Sequence, residues 1–115
     1  MTTKFEEILL NKRINPQKYL MAVQMKAMYY EYNWKSLTFA TDKTHKLQIT
    51  RPDGKIIKFG AVNYNDFIIY SFYSKKKKLL YDEALKRRDL FHKRMKRETD
   101  DDMYSPRNLS LNLLW

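Results

Sequence analysis

The sequence predicts a single α+β domain: helices at the N-terminus, a small antiparallel sheet, a long basic helix and an apolar C-terminal tail. Three observations predict it. Hydrophobic spacing changes from a helical to a strand period near Trp34. Pro52-Asp53-Gly54 is a turn signal between two alternating segments. Helical spacing then returns over a stretch, Lys75 to Arg97, that carries eleven Lys or Arg against three Asp or Glu. At 115 residues the chain has room for one core and not two. It divides into N-terminal helices over 1–33, the sheet over 34–72, the basic helix over 74–98 and a docking tail over 99–115.

Thr3-Lys4-Phe5-Glu6 has the capping-box pattern and opens a short helix with Phe5, Ile8 and Leu9 on one side. Asn15-Pro16 pairs an N-cap residue with proline at the first helical position, starting a second helix that runs from Gln17 to about Glu31. Leu20, Met21, Val23, Met25 and Met28 recur there at helical spacing. The Met21, Met25, Met28 stripe is expected to face the core; a pliable groove for a partner is the other use of such a stripe. Leu37, Phe39 and Thr41 alternate with polar residues, and His45 to Arg51 alternates again with Leu47 and Ile49 inward. Lys55 to Gly60 returns as the paired strand. Asn63 to Asp66 reads as a loop, and Phe67 to Phe72 as a further strand or a buried apolar run. Ser74 is expected to cap the basic helix, whose Leu80, Ala84, Phe91 and Met95, flanked by Leu79 and Leu90, form an apolar seam. At 100° per residue, Lys75, Lys86, Lys93 and Arg97 share the opposite side.

The apolar share of 43% and aromatic share of 15% belong to a folded body and not to a disordered basic tail. With no cysteine, disulfides, thiolate zinc sites and thiol catalysis are excluded. No apolar run approaches the roughly 18 residues of a membrane span. The N-terminus shows no hydrophobic signal region and no glycine at position 2, so an intracellular site is expected. Two glycines leave little from which to build a phosphate-cradling loop, and no nucleophile elbow is present. Asp66 and Asp100-Asp101-Asp102 could hold a divalent ion, but read more simply as surface charge. His45 and His92 lie in different elements. A non-enzymatic protein without cofactor or metal is expected.

The formal charge of +10 is concentrated: Lys75 to Arg97 supplies +8 of it (eleven cations less three acids). A face built for solubility mixes both signs. This one repels itself, and a polyanion relieves that repulsion. Lys75, Lys76, Lys77, Lys78, Lys86, Arg87, Lys93, Arg94 and Arg97 are the candidate phosphate contacts, acting by charge without reading sequence. Most aromatics sit in apolar patterns, and no single-strand module signature is present, so a duplex is favoured over stacked single strands. The apolar end, Ser105 to Trp115, is expected to dock on the body or on a second subunit, with Leu113 and Trp115 as the contact.

Lys55-Ile56-Ile57-Lys58-Phe59-Gly60 followed by Tyr64-Asn65-Asp66-Phe67 resembles the G-K-x-[IV]-x-F-G…Y-x-D-[FY] signature of small basic proteins of giant double-stranded DNA viruses. Phe91-His92-Lys93-Arg94-Met95 stands where that group has a Y-x-x-R-H-like element, with Met95 in place of the histidine. Leu109-Ser110-Leu111-Asn112-Leu113-Leu114-Trp115 matches its closing L-S-x-x-L-L-W. The likeness covers Gly54 to Trp115. It implies a virion core protein of the marseillevirus type, bound to double-stranded DNA beside viral histone-like proteins, located in the virion interior and, during infection, in host cytoplasm or nucleus. Packaging or compaction of the genome by a homo-oligomer, with no membrane role, is the expected function. A structural adaptor for acidic viral or host proteins and an RNA-binding regulator are the rival expectations.

Overall fold

The structure, a computed structural model, describes residues 2–74, 78–96 and 102–115. Helix α1 (Lys4–Asn11) begins at the capping box: Thr3 Oγ1 accepts the Glu6 N–H at 3.3 Å, and Glu6 Oε1 accepts the Thr3 N–H at 3.1 Å. Helix α2 (Pro16–Tyr29) begins at Asn15, whose Oδ1 accepts the N–H groups of Gln17 and Lys18. The two helices end alike. Arg13 and Glu31 take left-handed φ angles of 60° and 64°. The next residue's N–H then closes back five residues, Ile14 to the Leu9 carbonyl and Tyr32 to the Ala27 carbonyl, both at 2.9 Å. This turn usually has glycine at the left-handed position; here its place is taken by residues with a Cβ, and burial of Ile14 and Tyr32 in the core holds the conformation.

The methionine stripe does not face the core. Met21, Met25 and Met28 are 59%, 68% and 51% exposed. The buried row of α2 is Tyr19, Val23 and Ala27, spaced four apart on the other side. Tyr19 decides the rotation of the helix, because its hydroxyl has a buried partner described below.

After a 3-10 turn (Trp34–Ser36) come three antiparallel strands in the order β1 (Thr38–Phe39), β2 (His45–Thr50), β3 (Ile56–Ala61). The register sets Phe39, Leu47 and Phe59 in one row across the sheet, with Ile49 opposite Ile57. At the β1–β2 connection Asp42 Oδ1 accepts the N–H groups of Thr44 and His45. Its Oδ2 meets His45 Nδ1 at 2.9 Å and Lys58 Nζ at 3.4 Å. The His45 N–H above all holds the Asp42 carboxyl well below the usual carboxylate range. The β2–β3 hairpin turns where the sequence places it: Arg51 N–H donates to the Lys55 carbonyl, and Gly54 sits at φ 90°.

Phe67 to Phe72 is neither a strand nor part of the sheet. It belongs to helix α3 (Phe67–Ser74), so the sheet ends at Ala61. Asp66 makes the difference by capping it: Oδ1 accepts the Ile69 N–H at 2.8 Å, and its carbonyl accepts the Tyr70 N–H. Ser74 is the last residue of α3 and not the cap of a basic helix. In place of one helix from Lys75 to Arg97, α3 is followed by α4 (Lys78–Lys96). The Arg87 guanidinium lies 5.8 Å from the Tyr70 ring centre and that of Arg88 4.8 Å from Phe67, so α4 runs back antiparallel along α3. The C-terminal segment is helical too: α5 (Pro106–Leu109), capped by Ser105, runs into a π-helical turn (Ser110–Leu114). Leu109, Leu113 and Leu114 enter the same core as Phe5, Leu9, Leu47 and Phe59.

One ion pair is built into this core. Lys46 Nζ donates to Asp66 Oδ2 at 2.7 Å, and both residues are at most 2% exposed. The Tyr19 hydroxyl donates to the same oxygen at 2.7 Å. Burial, then the Asp66 charge and the hydrogen bond to it, raise the Tyr19 phenol well above its usual value.

Removing one partner of a buried pair strands the other charge, so Lys46→Met should destabilise the fold by about 3–5 kcal/mol, with part recovered on adding Asp66→Asn; urea unfolding of both variants measures it. A phenol raised in the folded state contributes stability that is intact below the unfolded value of about 10 and is lost as pH climbs beyond it. Stability should therefore fall with rising pH above about 10, less so in Tyr19→Phe, as thermal melts across that range would show. Glu31→Gly should stabilise by ~0.5–1 kcal/mol, because glycine takes the left-handed turn without a Cβ clash; a lowered melting temperature would contradict this.

Candidate nucleic-acid interface

Helix α4 concentrates charge over a short length. From Lys86 to Arg94 it carries Lys86, Arg87, Arg88, Lys93 and Arg94 against Asp89 alone. Lys86 and Lys93, like Arg87 and Arg94, are seven residues apart and so nearly eclipsed along the axis, ~10.5 Å from one another. Lys86, Arg87, Lys93 and Arg94 are exposed. Arg87 pairs with Glu83 one turn earlier at 3.1 Å. Among the described residues Lys86, Lys93 and Arg94 have no carboxylate within ion-pair distance.

Beside this helix runs an open groove of about 1050 Å³. Arg87, Lys93 and Arg94 from α4 and Arg107 from α5 bring cations to its lining, together with Tyr64 and Asn65 from the segment after β3. Leu90, Phe91, Leu114, Trp115, Ala61 and Pro106 give it an apolar lining. No Asp or Glu side chain lines it among the described residues. The Phe91 and Trp115 rings stack at 4.8 Å with 14° between planes, and the Arg94 guanidinium lies 5.3 Å from the Phe91 centre. Gly60 lets the C-terminal turn close the groove's inner end. At φ 77°, a Cβ there would lie 3.0 Å from Leu114 Cδ1 and 3.2 Å from Lys46 Cβ.

Of the residues the sequence singles out, Lys86, Arg87, Lys93 and Arg94 come together on α4, and three of them reach the groove. Lys75, Lys76, Lys77 and Arg97 lie outside the described residues, and Lys78 opens α4. The expected apolar seam of the basic helix is corrected at two positions. Leu90 is 65% exposed, and Phe91 packs on Trp115 at the groove and is not part of the buried core. Leu113 is 0% exposed within its own chain, so a contact between subunits through it requires it to leave the core. Trp115 is half-buried against that core. Asp66, a candidate metal ligand by residue type, has its carboxylate taken up by Lys46, Tyr19 and the Ile69 N–H. No cluster of potential metal ligands occurs among the described residues, and no described helix is long and apolar enough to cross a membrane. Sequence reasoning quoted Tyr64 only as part of a motif and named neither it nor Arg107 as a site residue; they join the site through tertiary folding, and the exposure of Tyr64 (73%) marks it.

No curated protein and no solved structure matches the chain significantly. One family model, described as a family of unknown function (DUF5754), matches residues 35–70, which span the three strands, the connection through Tyr64, Asn65 and Asp66, and the start of α3.

Proposed function

We propose that this protein binds duplex DNA without sequence preference, holding phosphates on the exposed face of α4, and thereby packs or compacts a viral genome. The observation that carries the reading is the concentration of five cations against one acid between Lys86 and Arg94, most of them exposed. Such a face attracts a polyanion at long range and releases its counterions on contact. The same stretch of α4 carries no Asn or Gln, the side chains that read adenine in the major groove. The likeness over Gly54 to Trp115 supplies the setting: a virion interior, with histone-like proteins as neighbours on the DNA. Self-association would add phosphate contacts by avidity, through a surface other than Leu113.

Titration of random-sequence duplex over a salt series tests this. The parent protein should give a slope of log K against log salt of about −4 or steeper, corresponding to roughly five phosphates. Lys86→Ala/Lys93→Ala should flatten that slope by about 1.8. Negligible binding at physiological salt, or an unchanged slope in the variant, removes α4 as a DNA surface.

A further inference from the structure

We propose that the groove lined by α4, Tyr64 and the C-terminal turn holds an unpaired stretch of nucleic-acid strand, its bases on Tyr64 and the partly exposed Trp115 ring and its phosphates on the lining cations. This goes beyond the duplex reading and rests on it only for the choice of polyanion. A duplex turns its base faces inward and offers sugar and phosphate, so an apolar lining with Leu90 and Trp115 in it gains nothing from paired DNA. A single strand offers a π-face at every base, and strand-binding surfaces combine a cationic track with stacking rings. Both parts are present. Lys93 and Arg94 line the groove with no Asp or Glu side chain among the described lining residues. Trp115 is already stacked on Phe91 and lines the groove, and Tyr64 lines it too at 73% exposure. At about 1050 Å³ the groove is at the upper end of small-ligand sites, which suits a run of nucleotides better than a single one. The arginines can serve here while packed on rings, because a stacked guanidinium still presents its in-plane N–H edges.

The test uses the full chain with Trp34→Phe, leaving Trp115 as the sole tryptophan fluorophore. Three probes are added in parallel: oligo-dT of twelve nucleotides, a blunt duplex of twelve base pairs and thymidine monophosphate. Oligo-dT should quench Trp115, and the duplex should bind without quenching it. Tyr64→Ala, followed by anisotropy of labelled probes with Trp34 retained, should weaken oligo-dT binding at least about fivefold while leaving duplex affinity within about twofold. Oligo-dT that binds without quenching, or equally well to Tyr64→Ala, overturns the proposal. Equal affinity for thymidine monophosphate also overturns it, making the groove a free-nucleotide site. Quenching by oligo-dT with no duplex binding sustains the groove proposal and sinks the duplex reading instead.

Discussion

The structure turns on the carboxylate of Asp66. Its two oxygens gather Tyr19 from α2, Lys46 from β2 and the backbone of α3, so three elements far apart in sequence converge on one buried group. A buried pair adds less stability than its attraction implies, because both ions lose water. Its value here is directional. The hydroxyl of Tyr19 rotates α2 so that Val23 and Ala27 follow it inward and the methionines turn outward. The cap on α3 starts a helix at Phe67, where the residue types alone are equally at home in a strand. Because α4 lies antiparallel on α3 through Tyr70 and Phe67, the position of the cationic helix is fixed at second hand by the same carboxylate.

A second constraint acts at Gly60. There β3 passes so close to Lys46 and Leu114 that no side chain fits without displacement, and the backbone takes a conformation that favours glycine. The close approach lets the C-terminal turn lie against β3, with Leu113 and Leu114 in the core and Trp115 beside Phe91. Tyr104 and Asn112 fasten the segment from the other side: the Tyr104 hydroxyl accepts the Asn33 N–H, and Asn112 donates to the Tyr32 hydroxyl. The groove is therefore a product of the closed fold, with one wall from the end of the chain and the other from α4.

What was legible in the sequence was local. The Thr3 and Asn15 caps, the Gly54 turn and the inward pair Leu47 and Ile49 depend on neighbours a few residues away, and each is found where its signal lies. The rest depended on partners remote in sequence. The inward side of α2 was set by a tyrosine hydroxyl 47 residues from its acceptor, which hydrophobicity does not register. The helix of α3 hung on reading Asp66 as a cap, though the residue also suits a loop end or a metal ligand. In the candidate site, the cations of α4 were visible as a charge run. Tyr64, Arg107 and the Phe91–Trp115 stack were not, because each belongs to a different element and the fold alone brings them to one groove.

The cations of α4 also divide by chemistry. Its described arginines, Arg87, Arg88 and Arg94, each lie over an aromatic ring: Tyr70, Phe67 and Phe91. A weakly hydrated planar guanidinium suits that contact better than the strongly hydrated ammonium of lysine. Arg87 and Arg88 thus help hold the helix to α3, against the mutual repulsion of its own charges, while the Arg94 contact with Phe91 lies within α4 itself. Lysine meets phosphate as a point charge. The exposed ammonium groups of Lys86 and Lys93 are accordingly suited to phosphates. A polyanion bound as proposed would offset the repulsion that the aromatic contacts must otherwise overcome, so that its binding and the packing of α4 would be thermodynamically linked.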